Sequence, residues 1–247
     1  MMTRLHFQTD TGTRVPAVTE SEMREVDRLA VEDLNLGILQ MMENAGRNLA
    51  ITAKEMLNQN EDRVVVLAGS GGNGGGGICC VRHLLNHGIT PSLILSKSTE
   101  DYRGAAGHQL SILQAAGYYP TMDAVDRTII EADLIIDSLL GYSLKDAPYG
   151  LTRELIAQAN QSKSRILSLD LPSGIDATTG ESPGTRIQPT RTLTLALPKT
   201  GLCSIDGDIL CADIGIPLQV YTSMGIVVEP FFMGRYRIPI RPALSLE

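Results

Sequence analysis

Residues 64–77 read VVVLAGSGGNGGGG, and this stretch decides how the rest of the chain is understood. Residues 64–67 are an apolar run with a β-branched bias, the mark of a short buried strand, and seven glycines follow between Gly69 and Gly77. Ile78, Val81, Leu84 and Leu85 then recur at helical spacing, with Gly88 as the stop. Strand, glycine loop and helix N-terminus together make an anion cradle, because the loop amides carry no side-chain cover and the helix start presents unpaired N–H groups. A merely tight turn accounts for the same glycines. Gly69, Gly71 and Gly74 satisfy the letter of G-x-G-x-x-G. The full dinucleotide fingerprint also needs an acidic residue about 20 positions further on, after the second strand. Here the strand at residues 91–95 ends in Ser96 and Lys97, with Glu100 and Asp101 arriving later, so a standard nicotinamide dehydrogenase is disfavoured.

Working outward, 247 residues with 43% apolar content suit one α/β domain with a large core. The net charge of −7 argues against nucleic-acid or membrane binding driven by charge, and no apolar run approaches a membrane span. Cys79, Cys80, Cys203 and Cys211 lack the C-x-x-C spacing of a zinc site, and the first eighteen residues lack a secretory apolar core. A reducing cytoplasm is the expected setting.

Thr19 and Glu22 have capping-box spacing and open a helical pattern through Met23, Val26, Leu29, Ala30 and Leu34, ended by Gly37. A second helix is expected over about residues 39–57, and, after the one that follows the glycine loop, further helices over about 103–116 and 151–161. In its second helix the chain carries Glu43 and Asn44, which either face a site or serve capping and solvation. Strands are expected at 134–136 and 165–169, with further strands at 192–195 and 209–212 near the sheet edge. The alternation calls for a three-layer α/β/α sandwich around a mainly parallel, Rossmann-like sheet.

In such sheets the ligand lies beyond the carboxyl ends of the strands, where the strand order reverses. The glycine loop, Asp137 and Asp170 all stand at predicted carboxyl ends and should converge. Two carboxylates beside an anion cradle need a cation or a shared proton. Asn73, Asp137 and Ser173 offer oxygen ligands only, which suits a hard cation rather than zinc, and leaves Asp170 for acid/base work. Local turn-making and capping remain open for each of these residues singly.

At this point the chain resembles the YjeF N-terminal domain family, through EMREVD, LQMMENAGR, VVVLAGSGGNGGGG, ADLIIDSLLG, LSLDLPSGIDATTGE, ALPKTGL and ADIGIP, in that order over residues 18–217. Residues 1–17 and 218–247 read as terminal extensions. The resemblance implies an NAD(P)H-hydrate epimerase that interconverts the R and S forms of NADHX and NADPHX, hydroxylated at C6 of the nicotinamide ring. It implies a potassium ion on Asn73, Asp137 and Ser173, and substrate contacts at Gly72, Asn73, Gly74, Gly75, Gly76, Gly141, Tyr142, Ser143, Leu144 and Asp170, with Asp170 catalytic. It further implies a separate NAD(P)HX dehydratase as functional partner, and a homodimer. The family loop usually reads NNGGDG, so Gly72 and Gly76 depart from it, as does Tyr142 where threonine is usual. Gly76 and Tyr142 are what favour a rival reading, a catalytically altered ligand-binding or scaffold module. The tail, with Phe231, Phe232 and Tyr236 among arginines, is expected to pack against its own domain; covering an edge strand, meeting a dimer partner and staying mobile are the alternatives.

Overall fold

Apolar runs bounded by glycine and polar turns leave the chain no soluble arrangement except a sheet covered on both faces, and the computed structural model has that form over residues 4–58, 62–121, 125–144 and 146–243. In chain order its elements are β1 (His6–Thr9), β2 (Arg14–Pro16), α1 (Glu20–Arg28), α2 (Ile38–Met56), β3 (Val64–Ala68), α3 (Gly72–Asn86), β4 (Ser92–Leu95), α4 (Gly104–Ala115) and α5 (Val125–Ile130). They continue with β5 (Leu134–Ser138), α6 (Gly150–Gln161), β6 (Arg165–Leu169), β7 (Arg191–Leu195), β8 (Asp208–Ala212), α7 (Leu218–Ser223) and β9 (Arg237–Pro242). The strands form one sheet in the order β2-β1-β9-β8-β7-β6-β5-β3-β4. From β8 to β4 every pairing is parallel, whereas β9, β1 and β2 join antiparallel.

The two faces of β3 show why the sheet needs both helix layers. Val64, Val66 and Ala68 pack with Leu49 of α2, Ile78 and Leu84 of α3, and Leu110 of α4. Val65 and Leu67 point the other way, to Ile129 of α5 and Leu155 and Ile156 of α6. Each such side chain fully withdrawn from water contributes roughly 1.5–3 kcal/mol. A third cluster joins Met23 and Val26 of α1 and Tyr221 of α7 to Cys211, Ile238 and Phe7 of β8, β9 and β1. The capping box that starts α1 is formed as its spacing predicts, with Glu22 N–H donating to Thr19 Oγ1 at 3.3 Å and Thr19 N–H to Glu22 Oε2 at 2.8 Å. Past Arg28 the helix loosens into a π-helical turn, Leu29–Asp33.

Two expectations are corrected. The first concerns the glycines: α3 begins at Gly72, so only Gly69, Ser70 and Gly71 form the turn and the remaining glycines lie in the first helical turns. The helix can start there because the glycines let it press onto its neighbours. A Cβ at Gly74 would lie 1.6 Å from the Gly69 carbonyl oxygen, one at Gly75 2.6 Å from Met42 Cε, and one at Gly77 1.9 Å from Ser138 Oγ. The second concerns the sheet edge: β7 and β8 are interior, and the edges are β2 and β4. The tail supplies β9, which buries Ile238 and Ile240 and inserts between β8 and β1. Of the tail's aromatics, Phe231 is buried and Tyr236 is exposed.

α2 and α3 are held by a polar clip as well as by packing. His83 Nε2 and Glu43 Oε1 are 2.9 Å apart, Cys79 Sγ donates to Glu43 Oε2 at 3.5 Å, and Arg82 closes on the same carboxylate. Gly46 makes room for it, since a Cβ there would sit 2.5 Å from Cys79 Sγ. Asn44 Nδ2 ties α2 to the Ile214 carbonyl at 3.2 Å, so Glu43 and Asn44 both do structural work. All four cysteines are free thiols, and among the described residues no helix is long and apolar enough to cross a membrane.

Gly74→Ala separates helix propensity from packing. Propensity favours alanine by about 1 kcal/mol, but the obstructing atom at 1.6 Å is backbone and cannot swing aside. Overpacking wins, and stability to urea should fall by about 1–3 kcal/mol or more. Gly72→Ala, whose Cβ meets nothing within 4 Å, should keep the parent midpoint. Equal midpoints for the two variants would show that the turn and helix do not touch.

Candidate active site

β3 pairs with β4 on one side and β5 on the other, so the strand order reverses at β3 and leaves a crevice beyond the carboxyl ends of β3 and β5. A cavity of about 600 Å³ opens there. Three sets of residues build it.

The first is the cradle. Gly71 caps α3, and the earliest intrahelical bond runs from Gly75 N–H to the Gly71 carbonyl at 3.0 Å, which leaves the amides of Gly72, Asn73 and Gly74 without helical partners. Gly71, Gly72, Asn73 and Gly76 line the cavity. Gly74 and Gly75 do not; both are buried in the packing against the Gly69 turn and Met42. Gly141, Tyr142, Ser143 and Leu144 line the same cavity.

The second set is an oxygen-rich cluster behind the cavity wall: Asn73 lines the cavity, whereas Asp137 and Ser173 do not and are fully buried. Asp137 lies in β5. Its Oδ1 accepts from Ser173 Oγ at 2.5 Å and Leu139 N–H at 3.3 Å, and its Oδ2 from Ser168 Oγ at 2.8 Å and Ser173 N–H at 2.9 Å. Ser173 Oγ in turn accepts Leu140 N–H at 2.9 Å, while Asn73 Nδ2 donates to the Leu140 carbonyl at 2.9 Å. Asn73, Asp137 and Ser173, scattered in sequence, are thereby gathered around residue 140. Burial pushes the Asp137 carboxyl above its ordinary range despite four hydrogen bonds that pull the other way. No basic side chain pairs with it among the described residues. A carboxylate in this setting asks for a proton or a cation. The donor set, two side-chain oxygens with an amide oxygen and a carbonyl nearby and no nitrogen or sulfur ligand, fits a hard monovalent or divalent ion.

The third set surrounds Asp170, the residue after β6. Its φ of +66° lies in the left-handed region, a conformation that costs a side-chain-bearing residue about 1 kcal/mol or more. Asp170 N–H donates to the Leu193 carbonyl at 2.7 Å and so holds the kink in place. Its carboxylate forms a salt bridge with Lys199, itself only 1% exposed, and Lys199 Nζ also donates to the Leu195 carbonyl at 3.0 Å. Lys199 Nζ lies 5.9 Å from the centre of the Tyr142 ring, and the Tyr142 hydroxyl donates to Asp27 of α1. Burial pushes the Asp27 carboxyl up, and burial followed by the Asp27 charge pushes the Tyr142 hydroxyl up.

Motif reading passed over Asp27 and Lys199, although a signal existed for each. Asp27 stands four residues after Met23, hence on one helical face with it, and both line the cavity. Lys199 interrupts the apolar run ALPKTGL, where a lysine is out of place unless paired. Asp176, by contrast, only fixes its turn, accepting from Thr178 and Thr179 N–H at 2.9 and 2.8 Å.

Fold and cavity define an α/β protein of Rossmann-like topology with its cavity at a strand-order reversal. Comparison narrows this. Residues 38–201 match the family model described as YjeF-related protein N-terminus. The chain is 46% identical over 235 residues to the NAD(P)H-hydrate epimerase of Dehalogenimonas lykanthroporepellens, covering 93% of this chain and 95% of that one. It is 32% identical to the NAD(P)H-hydrate epimerase of Rhodopirellula baltica, over 86% and 90% of the two chains. A bifunctional NAD(P)H-hydrate repair enzyme of Moorella thermoacetica is 36% identical over 82% of this chain, which spans only 41% of that enzyme. Yeast ynu0, solved by crystallography, superposes with a TM-score of 0.78 at 22% identity over 91% of this chain and all of that one, a likeness of fold. The chain belongs to the YjeF-related N-terminal family.

Lys199→Met tests the third set. Removing one partner of a buried pair leaves the other uncompensated, which costs about 3–5 kcal/mol. Urea unfolding should show that loss, and adding Asp170→Asn to the same chain should recover part of it in a double-mutant cycle. Strictly additive losses would mean that the two side chains do not interact.

Proposed function

We propose that this chain is an NAD(P)H-hydrate epimerase acting on the R and S forms of NADHX and NADPHX. The observation that carries the proposal is the meeting, in one cavity, of an α3 N-terminus open to a diphosphate and the Asp170–Lys199 pair. The names of the relatives at 46% and 32% identity support it. Amides at the start of α3 hold the pyrophosphate, residues 141–144 flank the modified ring, and Asp170 moves protons at the C6 hydroxyl. Epimerisation at a hydroxyl-bearing carbon beside nitrogen proceeds by losing and regaining water through an iminium ion, or by opening and closing the ring. Both routes need a proton shuttle.

Asn73, Asp137 and Ser173 are the residues that would hold a potassium ion, whose positive charge offsets Asp137 and steadies the cradle beside it. An S-specific dehydratase activity completes the repair, and the free thiols suit a reducing cytoplasm. The rival reading, a binding module without turnover, draws on Gly76. A Cβ there would lie 2.7 Å from Leu169 Cδ2, and α3 lines the cavity with no carboxylate of its own.

Purified protein supplied with an R-epimer preparation and an S-specific dehydratase should consume the R form faster than the dehydratase alone. Asp170→Asn should slow that conversion by about 10²–10⁴-fold with the fold intact by circular dichroism. Binding of the dinucleotide with no gain in rate would decide for the module.

The potassium assignment makes a signed prediction. A carboxyl whose folded pKa is raised costs nothing at low pH, where it is protonated in both states, and lowers stability as pH rises through the folded value. A bound cation cancels that loss. Melting in KCl against choline chloride at equal ionic strength should therefore show little difference near pH 4 and a growing advantage for potassium toward neutrality. The advantage is about 2.7 kcal/mol at a hundredfold excess over Kd. Identical melts at neutral pH would remove the ion from these residues.

A further inference from the structure

Two carboxyl groups face the same cavity in unlike company. Asp170 forms a salt bridge with Lys199. Among the described residues Asp27 has no such salt bridge: its hydrogen-bond partner is the Tyr142 hydroxyl, and Arg24 on its own helix, whose charge acts on it, is bonded to Glu20. The other titratable groups that act on Asp27 are Lys199 and Asp170 across the cavity, and Tyr221 of α7 lies within electrostatic reach. Asp27, Tyr142, Lys199 and Asp170 all line the cavity, and the Tyr142 ring stands between the two carboxyl systems, bonded to one and 5.9 Å from the ammonium of the other. Where environment separates the behaviour of two acids in one site, it separates their roles.

We infer that Asp27, hydrogen-bonded by Tyr142, is a second proton-handling group of the epimerase, the acid that protonates the leaving hydroxyl while Asp170 takes the proton of the returning water. The inference rests on the epimerase reading above and selects its water-loss route. In the forward step the C6–O bond breaks, both electrons leave with oxygen, and a proton from Asp27 completes a water molecule. The ring-nitrogen lone pair forms the C=N bond of an iminium ion. Water then adds its oxygen lone pair to the other face of C6, the C=N pair returns to nitrogen, and the added water gives one proton to Asp170. Solvent at the cavity mouth carries the proton from Asp170 back to Asp27, and no oxidant or co-reactant is consumed. Run backwards, the same steps exchange the two roles, as an epimerase requires. Burial, which pushes the Asp27 carboxyl upward, keeps more of it protonated near neutrality than a free aspartate.

The alternative is that the Tyr142–Asp27 bond only fastens the loop at residues 141–144 to α1. A pH profile distinguishes the two. Rates of R-form conversion, coupled to an S-specific dehydratase held in excess, should be followed from pH 5 to 9 for the parent chain, Asp27→Asn and Tyr142→Phe, with affinity for NADH as a non-reacting probe. Asp27→Asn should lower kcat about 10²-fold or more, change NADH affinity less than threefold, and abolish the alkaline limb of the profile. Tyr142→Phe removes a hydrogen bond that favours the Asp27 carboxylate, so its alkaline limb should move to higher pH. Parent-like kcat in Asp27→Asn overturns the inference, as does an unmoved alkaline limb in Tyr142→Phe or an equal loss of NADH binding and rate with unchanged profile. A parent chain that turns nothing over overturns the epimerase reading and this inference together. An active parent with an indifferent Asp27 overturns only the inference.

Discussion

The close approach of α3 to the sheet is the constraint on which the rest depends. Side chains are missing where the helix meets the turn, α2 and β5, so the first amides of α3 can stand at the crevice instead of being held off by a layer of methyl groups. The glycines accept a cost in helix propensity of roughly 1 kcal/mol each for this. What results is a helix N-terminus, with its partial positive charge, aimed at the point in the sheet where neighbouring strands diverge. The carboxyl ends of β5 and β6 then deliver acidic residues to the same place.

Charge is managed differently at each of these acids. Asp137 is sealed among hydroxyl and amide donors without a basic partner, a setting that leaves its carboxyl weakly acidic and favours a cation or proton. Asp170 is met by a buried ammonium, and Asp27 by a phenol. Asp170 and Asp27, the two that line the cavity, therefore respond unequally to the same ligand, and this inequality, rather than the count of acids, gives the cavity chemical direction.

The termini contribute more than covering. β9 and β1 extend the sheet antiparallel from β8, and Arg235 reaches Asp10 with two bonds of 2.7 and 2.8 Å, linking the two ends of the chain. Their side of the molecule supports α1, and α1 carries Asp27. A wall of the cavity thus rests on segments that lie outside the motifs.

From the sequence alone, the central strands, the order of the elements, and the convergence of Asn73, Asp137, Asp170 and Ser173 were legible, because apolar runs and glycine punctuation report local preferences and a parallel sheet has few topologies. The start of α3 at Gly72, the interior position of β7 and β8, and the pairing of β9 with β1 were not, since each depends on what packs against the segment rather than on the segment itself. The same holds for Lys199 and Asp27. A lysine in an apolar run announces that it needs a partner without saying which, an aspartate on a helical face does not say what it faces, and only folding brings them within reach of Asp170 and Tyr142.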